Sequence, residues 1–140
     1  MKKYNFFDHT ADVMFEAYGK TLNELFENAA LATQETQVDL KDVKGKIKRK
    51  INLKNNSIEM LLFDFLQELI YLKDKDKLLF SKFKINVKKN KKYILTATAH
   101  GEELDMRKHE LKVDVKAVTL HQFYVKKLKD KWKARIILDI

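Results

Sequence analysis

The spacing of apolar residues changes about halfway along this chain, and the change limits the folds open to it. Two segments before residue 71 carry apolar residues at helical spacing, whereas from residue 83 onward apolar and polar residues alternate as in strands. Strands that follow one another without intervening helices pair antiparallel. The sequence therefore predicts an α+β fold: a mostly antiparallel β-sheet with two helices packed on one face.

Both predicted helices begin at a cap. Thr21 and Glu24 form a capping box, and Ser57 caps the second helix, with Glu59 in the first turn where the helix dipole favours negative charge. The apolar stripes that follow are Leu22, Leu25, Phe26, Ala29, Ala30 and Thr33, and then Ile58, Leu61, Leu62, Phe65, Leu66, Leu69 and Ile70. The second stripe is too broad for a helix with one neighbour, so we expect it to lie against the sheet.

The predicted strands precede, separate and follow these helices in the sequence. They are predicted at residues 3–7, 13–18, 46–54, 83–87, 93–100, 113–125 and 132–140, with a hairpin turn around Asn90. The chain has no Pro and three Gly, and no stretch resembles a linker. A single domain over residues 1–140 is therefore expected.

Composition excludes several classes of protein. There is no Cys, which excludes thiol catalysis, disulfide frameworks and cysteine zinc sites. No apolar run approaches the ~20 residues of a membrane span, and none resembles a signal peptide. We expect a cytoplasmic protein with no membrane contact.

The net charge is +9, from 29 basic and 20 acidic residues. One interpretation is an electropositive surface that meets RNA or an acidic protein. The other is an AT-rich genome, which would supply Lys, Asn and Ile without any binding function. Both interpretations stay open.

Two short segments carry candidate metal ligands. The loop from Asp8 through His9 to Asp12 places two carboxylates and an imidazole within five residues, and Ca²⁺, Mg²⁺ and Mn²⁺ prefer oxygen ligands. In the last strand, Asp139 points away from the apolar face, and the α-carboxylate of Ile140 follows it. A fold that brings Asp12 beside Asp139 would create a hard-cation site. Turn-forming roles for the loop and a solvated position for Asp139 are the alternatives.

A polar loop at residues 100–110 is the third candidate. It contains Glu102, Asp105, Arg107, Lys108 and His109. General acid–base chemistry and a solvated loop are both compatible with this composition. The sequence has no Walker phosphate loop, no G-x-S-x-G elbow and no HExxH pair, so it lacks the common catalytic signatures.

Several segments, in this order, resemble the archease family. They are the opening 8-DHTADV-13, the helical run 19-GKTLNELFENAA-30, the polar loop after Gly101, the late-strand motif 116-KAVTLH-121 and the ending Asp139-Ile140. The resemblance spans nearly the whole chain. Met14 stands where the family usually has Gly, and Leu120 replaces a common aromatic residue, but neither is a proposed ligand.

The resemblance implies a non-catalytic partner of an RtcB-type RNA ligase in tRNA splicing, which promotes guanylylation and turnover of that ligase. It implies a divalent cation held by Asp12, Asp139 and the carboxylate of Ile140. The ligase handles GTP, and tRNA is met indirectly, through the ligase. Candidate contacts with the ligase or with phosphate are Asp8, His9, Glu102, Asp105, Arg107, Lys108, His109 and Lys116.

Two other classes of function fit the same residues. A small metal-dependent hydrolase or nuclease would use the carboxylates with His9 or His109 and an activated water. A basic RNA-binding module would use the net positive charge, and its affinity would depend steeply on salt.

Overall fold

A computed structural model describes residues 1–8 and 11–140 of the chain. These residues form, in order, β1 (Tyr4–Phe7), β2 (Asp12–Gly19), α1 (Leu22–Gln37), a 3-10 turn (Leu40–Asp42), β3 (Ile47–Asn55), α2 (Ile58–Asp76), β4 (Leu78–Lys89), β5 (Tyr93–Glu103), β6 (Ala117–Lys127) and β7 (Trp132–Asp139). The predicted α+β class is confirmed. Within the described part of the chain, neither helix combines the length and apolarity that crossing a membrane requires.

The strands divide between two antiparallel sheets rather than forming one. The first sheet has the order β1-β2-β7-β6 and the second has the order β3-β5-β4. Helix α1 contacts β2, β7 and β4, and α2 contacts β6 as well as all three strands of the second sheet. Each helix therefore packs against both sheets, which explains why the apolar stripe of α2 is so broad.

Helix α1 is buried around most of its surface, and two of its buried polar side chains bond to neighbouring strands. The Asn28 side chain donates to the carbonyl of Tyr18 at 2.7 Å, and the side-chain oxygen of Gln34 accepts from the backbone N–H of Phe80 at 3.0 Å. These bonds tie the helix to β2 on one side and to β4 on the other. Buried polar groups need such partners, so the bonds help to fix the helix between the sheets.

The predicted helix starts are confirmed. The backbone N–H of Glu24 donates to the Thr21 hydroxyl at 3.1 Å, and that of Met60 donates to the Ser57 hydroxyl at 3.2 Å. Helix α2 ends at Asp76, and the cap residue Lys77 has a left-handed φ of 57°. This conformation, which more often belongs to Gly, turns the chain directly into β4.

The strand predicted at residues 113–125 begins later than expected, because β6 starts at Ala117. Lys73 of α2 provides the reason. Its ammonium donates to the carbonyl of Val115 and to the carboxylate of Asp114, each at 2.7 Å. The apolar alternation at Val113 and Val115 therefore belongs to an extended segment held against α2, not to a strand.

Candidate functional site

The pairing of β2 with β7 brings the two ends of the chain together. The register runs without interruption from Asp12 opposite Asp139 to Gly19 opposite Trp132. Directly opposed residues of antiparallel strands project from the same face, with Cβ atoms about 5 Å apart. The approach of Asp12 to Asp139 that the metal-site hypothesis requires is present in the fold.

The alternation of β2 sets the direction of the Asp12 side chain. Phe15 and Ala17 are fully buried in the core that the helices cover, so Asp12 belongs to the opposite face of the sheet. Asp12 is half-buried, and Asp139 is exposed. The carboxylate pair therefore lies at the end of the first sheet, on the face away from the core.

The backbone around this pair is fixed by its neighbours. The N–H of Lys116 donates to the carbonyl of Asp139 at 2.8 Å, and Ala117 lies opposite Asp139 in β6. On the other side, Ala11 has a φ of 143°, a conformation that is strained for a residue with a side chain. His9, the imidazole of the opening loop, lies outside the described residues.

The donor set of the pair suits a hard cation. Like charges directly opposite each other repel, and a cation between them would turn that repulsion into ligation. Among residues 1–8 and 11–140, no three His, Cys, Asp or Glu side chains cluster in a way that could hold a metal ion. The two carboxylates would leave coordination positions of such a cation for further oxygen ligands from the main chain or from water.

A second group of predicted residues surrounds Glu102 at the end of β5. This buried carboxylate accepts from the ammonium of Lys108 at 2.7 Å, from the backbone N–H of Lys44 at 2.6 Å and from Nε2 of His109 at 3.1 Å. Burial raises the pKa of Glu102, but these donors together outweigh it and lower the pKa from 4.5 to about 2. The carboxylate stays ionised at any physiological pH.

His109 is held in one tautomer within this network. Its Nδ1 accepts from the backbone N–H of Asp105 at 3.0 Å, which leaves the proton on Nε2, facing Glu102. The side chain is buried. His109 and Glu102 thus anchor the loop from within and do not present an exposed acid or base.

Arg107 and Asp105 form the exposed part of the same loop. The guanidinium of Arg107 donates to both carboxylate oxygens of Asp105, at 3.2 and 3.3 Å, and this pairing lowers the pKa of Asp105 below its ordinary value. The Arg107 side chain is 90% exposed. It forms part of an open cleft of about 580 Å³ lined by residues 46–47 and 102–108.

The predicted site residues therefore fall into two groups. Asp12, Asp139 and Lys116 meet at the end of the first sheet. The other group is the polar loop: Glu102, Asp105, Arg107, Lys108 and His109. Asp8 follows β1 and is exposed.

Glu16 forms a buried cluster that the sequence did not reveal. It accepts from Arg135 and from the Tyr124 hydroxyl, each at 3.0 Å, and lies 3.4 Å from the ammonium of Lys133. Burial raises the pKa of Glu16, but these partners outweigh it and leave the pKa below its ordinary value. Strand alternation places Glu16 on the same face as Asp12, but the cross-strand partners depend on a register that sequence does not give.

Known proteins resemble this chain over nearly its full length. A family model described as the Archease protein family (MTH1598/TM1083) matches residues 4–140. The protein archease of Methanosarcina barkeri is 43% identical over 99% of this chain and 97% of its own length. That of Pyrococcus furiosus is 39% identical over the whole of both chains.

Two solved structures share the fold. The solution structure of Methanobacterium thermoautotrophicum protein 1598 is 42% identical, covers both chains fully and has a TM-score of 0.89. The crystal structure of a Thermotoga maritima protein, described as an archease and possible chaperone, is 21% identical, covers 96% of this chain and 94% of its own, and has a TM-score of 0.65. The family model and the relatives at about 40% identity agree: this chain belongs to the archease family.

Proposed function

We propose that this protein is a non-catalytic accessory factor that activates an RtcB-type RNA ligase in tRNA splicing. In this proposal it holds a divalent cation through Asp12, Asp139 and the α-carboxylate of Ile140. The observation that carries the proposal is the β2–β7 register, which sets Asp12 directly opposite Asp139. Membership in the archease family supports an accessory role. The RNA ligase as partner and the cytoplasm as location are part of the proposal.

The role of the protein would be to present these oxygens on a rigid support. Asp139 lies on β7, which pairs with a strand on each side, and its carbonyl is bonded to Lys116. A site built on strands holds its geometry better than a site on a loop. A bound divalent cation would supply charge neutralisation at the triphosphate as guanylate passes to the ligase.

The polar loop would complete the docking surface. Glu102 and His109 fix the loop from inside, and Lys108 is committed to Glu102, whereas the Arg107 side chain is exposed. Arg107, which is exposed although it pairs with Asp105, and the exposed Lys116 are the basic residues best placed to meet the ligase or a phosphate. The nucleophile would belong to the ligase, so this chain needs no nucleophile of its own.

A reconstituted guanylylation assay tests the proposal. The assay combines the cognate ligase with radiolabelled GTP and one of the cations Mg²⁺, Mn²⁺ or Ca²⁺. It is run without this protein and with this protein at a lower molar concentration than the ligase. The wild-type protein should accelerate labelling of the ligase, and the isosteric variants Asp12→Asn and Asp139→Asn should lose that acceleration. Asp130→Asn, in the exposed β6–β7 turn, is the matched control and should act as wild type.

Thermal unfolding of each variant confirms that it is folded. Full acceleration by both site variants would exclude the metal role. No acceleration by the wild-type protein with any of the three cations would exclude ligase activation itself.

A further inference from the structure

The outer face of the second sheet carries two parallel tracks of lysines, which we call the lysine face. Lys48, Lys50 and Lys54 lie on β3, and Lys82, Lys84 and Lys88 lie on β4. The register aligns them across the central strand in three rows: Lys48–His100–Lys82, Lys50–Thr98–Lys84 and Lys54–Ile94–Lys88. A fourth row, Asn52–Thr96–Asn86, lies between the last two.

All six lysines are exposed, because their strands bury the alternate residues, such as Ile51 and Phe83. The four rows contain no acidic residue. Within the described part of the chain, none of the six forms an ion pair. Arg49 shows the contrast, since it belongs to the other face of β3 and pairs with Asp76 at 3.5 Å. The positive charge of the lysine face is therefore not neutralised by the protein.

The pKa of His100, at the centre of the first row, reflects this charge. Burial lowers its pKa, and the nearby charges of Lys48, Lys82 and Lys84 lower it further. Its Nε2 is buried and has no hydrogen-bond partner among the described residues. The row thus holds a polar atom without a protein partner beside concentrated positive charge.

The dimensions of the face follow from sheet geometry. Strands lie about 4.8 Å apart, so the two tracks are about 10 Å apart, and successive rows are about 7 Å apart along the strands. Between the tracks lies the central strand β5, which presents His100, Thr98, Thr96 and Ile94, whereas Asn52 and Asn86 belong to the tracks themselves. A shallow groove of about 330 Å³ runs along it, lined by residues 50, 52 and 96–98.

We propose that the lysine face binds the phosphodiester backbone of a nucleic acid without reading its sequence. Lysine ammonium groups bind phosphate as point charges, and the Thr hydroxyls between the tracks and the Asn amides within them can donate to phosphate or sugar oxygens. The rows carry no Phe, Tyr or Trp ring on which a base could stack, so we expect contacts to the backbone. This inference goes beyond ligase activation and does not depend on it.

The composition favours a nucleic acid over an acidic protein as the partner. The core of a protein–protein interface is enriched in aromatic residues, Met and Arg and depleted in Lys. Here the face carries six Lys and one large apolar side chain, Ile94, which lies in the end row and is 41% exposed. A nucleic-acid backbone carries one charge per nucleotide, so the lysines of each track, about 7 and 14 Å apart, can each meet a separate phosphate.

Fluorescence anisotropy with a labelled 20-nucleotide RNA of mixed sequence, in the absence of ligase, tests the proposal. If all six lysines engage phosphates, the slope of log affinity against log salt is about −4, and affinity falls about 300-fold between 50 and 200 mM KCl. Lys50→Gln/Lys84→Gln should flatten the slope to about −3 and weaken binding by about 10-fold or more. Lys20→Gln/Lys129→Gln, which removes two exposed lysines outside this face, should leave the slope unchanged.

Two further binding measurements identify the class of ligand. A DNA strand of the same sequence should bind within a few-fold of the RNA, and polyglutamate of equal charge should compete at least about 10-fold more weakly. Equal loss of binding in the two double variants would overturn the assignment to this face, and equally effective competition by polyglutamate would overturn the nucleic-acid assignment. Asp12→Asn and Asp139→Asn should bind RNA as wild type, so this proposal and ligase activation succeed or fail separately.

Discussion

Glu102 should stabilise the fold in a strongly pH-dependent way. Its pKa of about 2 in the folded protein, against an ordinary value of 4.5, corresponds to roughly 3 kcal/mol at about 1.4 kcal/mol per pKa unit. Because the folded pKa is the lower one, the stabilisation is fully present above pH 4.5 and is lost as the pH falls toward 2. We expect Glu102→Gln to lower the free energy of unfolding by roughly 3 kcal/mol at pH 7 and by about 1 kcal/mol at pH 3.

Urea unfolding at the two pH values measures this effect. With m-values of about 1–3 kcal/mol/M, the midpoint at pH 7 should fall by about 1–3 M. Glu103→Gln is the matched control, because Glu103 is the next residue and is exposed. Equal midpoints for the two variants at pH 7, or a difference that persists undiminished at pH 3, would refute the reasoning.

Two further substitutions test the packing around the polar loop. Gly101→Ala should lower the free energy of unfolding by roughly 3 kcal/mol, because the added Cβ would lie 1.8 Å from the carbonyl oxygen of Leu79. Gly45→Ala is the control: the atom nearest to its added Cβ is 3.4 Å away, so the free energy of unfolding should fall by less than about 1 kcal/mol. Chemical denaturation compares the two, and equal stabilities would contradict the clash. Lys73→Met should raise amide hydrogen exchange in residues 104–116, which lose the ammonium that holds them to α2; unchanged exchange would show that other contacts fix this segment.

The local elements of the fold could be predicted because their signals are local. Thr21 and Ser57 mark the helix starts through bonds to residues three positions away, and these bonds are present. The division into two sheets was not predicted, because it depends on which strands meet across long stretches of chain. The late start of β6 was missed for the same reason: it depends on Lys73, more than 40 residues away from the carbonyl of Val115.

The candidate site was also predictable only in its local features. Its candidate oxygen ligands could be named from residue chemistry. The hypothesis required Asp12 to lie near Asp139, and the β2–β7 register places them opposite each other. The burial of Glu102 and His109 was not apparent, because a dense run of polar residues is typical of a solvated loop. The lysine face was also not predicted, since alternation shows that lysines share one side of a strand but not which strands lie side by side.

The most direct test of the central claim is a calorimetric titration of the metal-free protein with CaCl₂. If the pairing of β2 with β7 creates a cation site, the wild-type protein and Asp130→Asn should bind one Ca²⁺ with the same affinity. Asp12→Asn and Asp139→Asn should each bind it more than about tenfold more weakly. Equal affinity in all four proteins would contradict the account, because the opposed carboxylates would then not be the ligands.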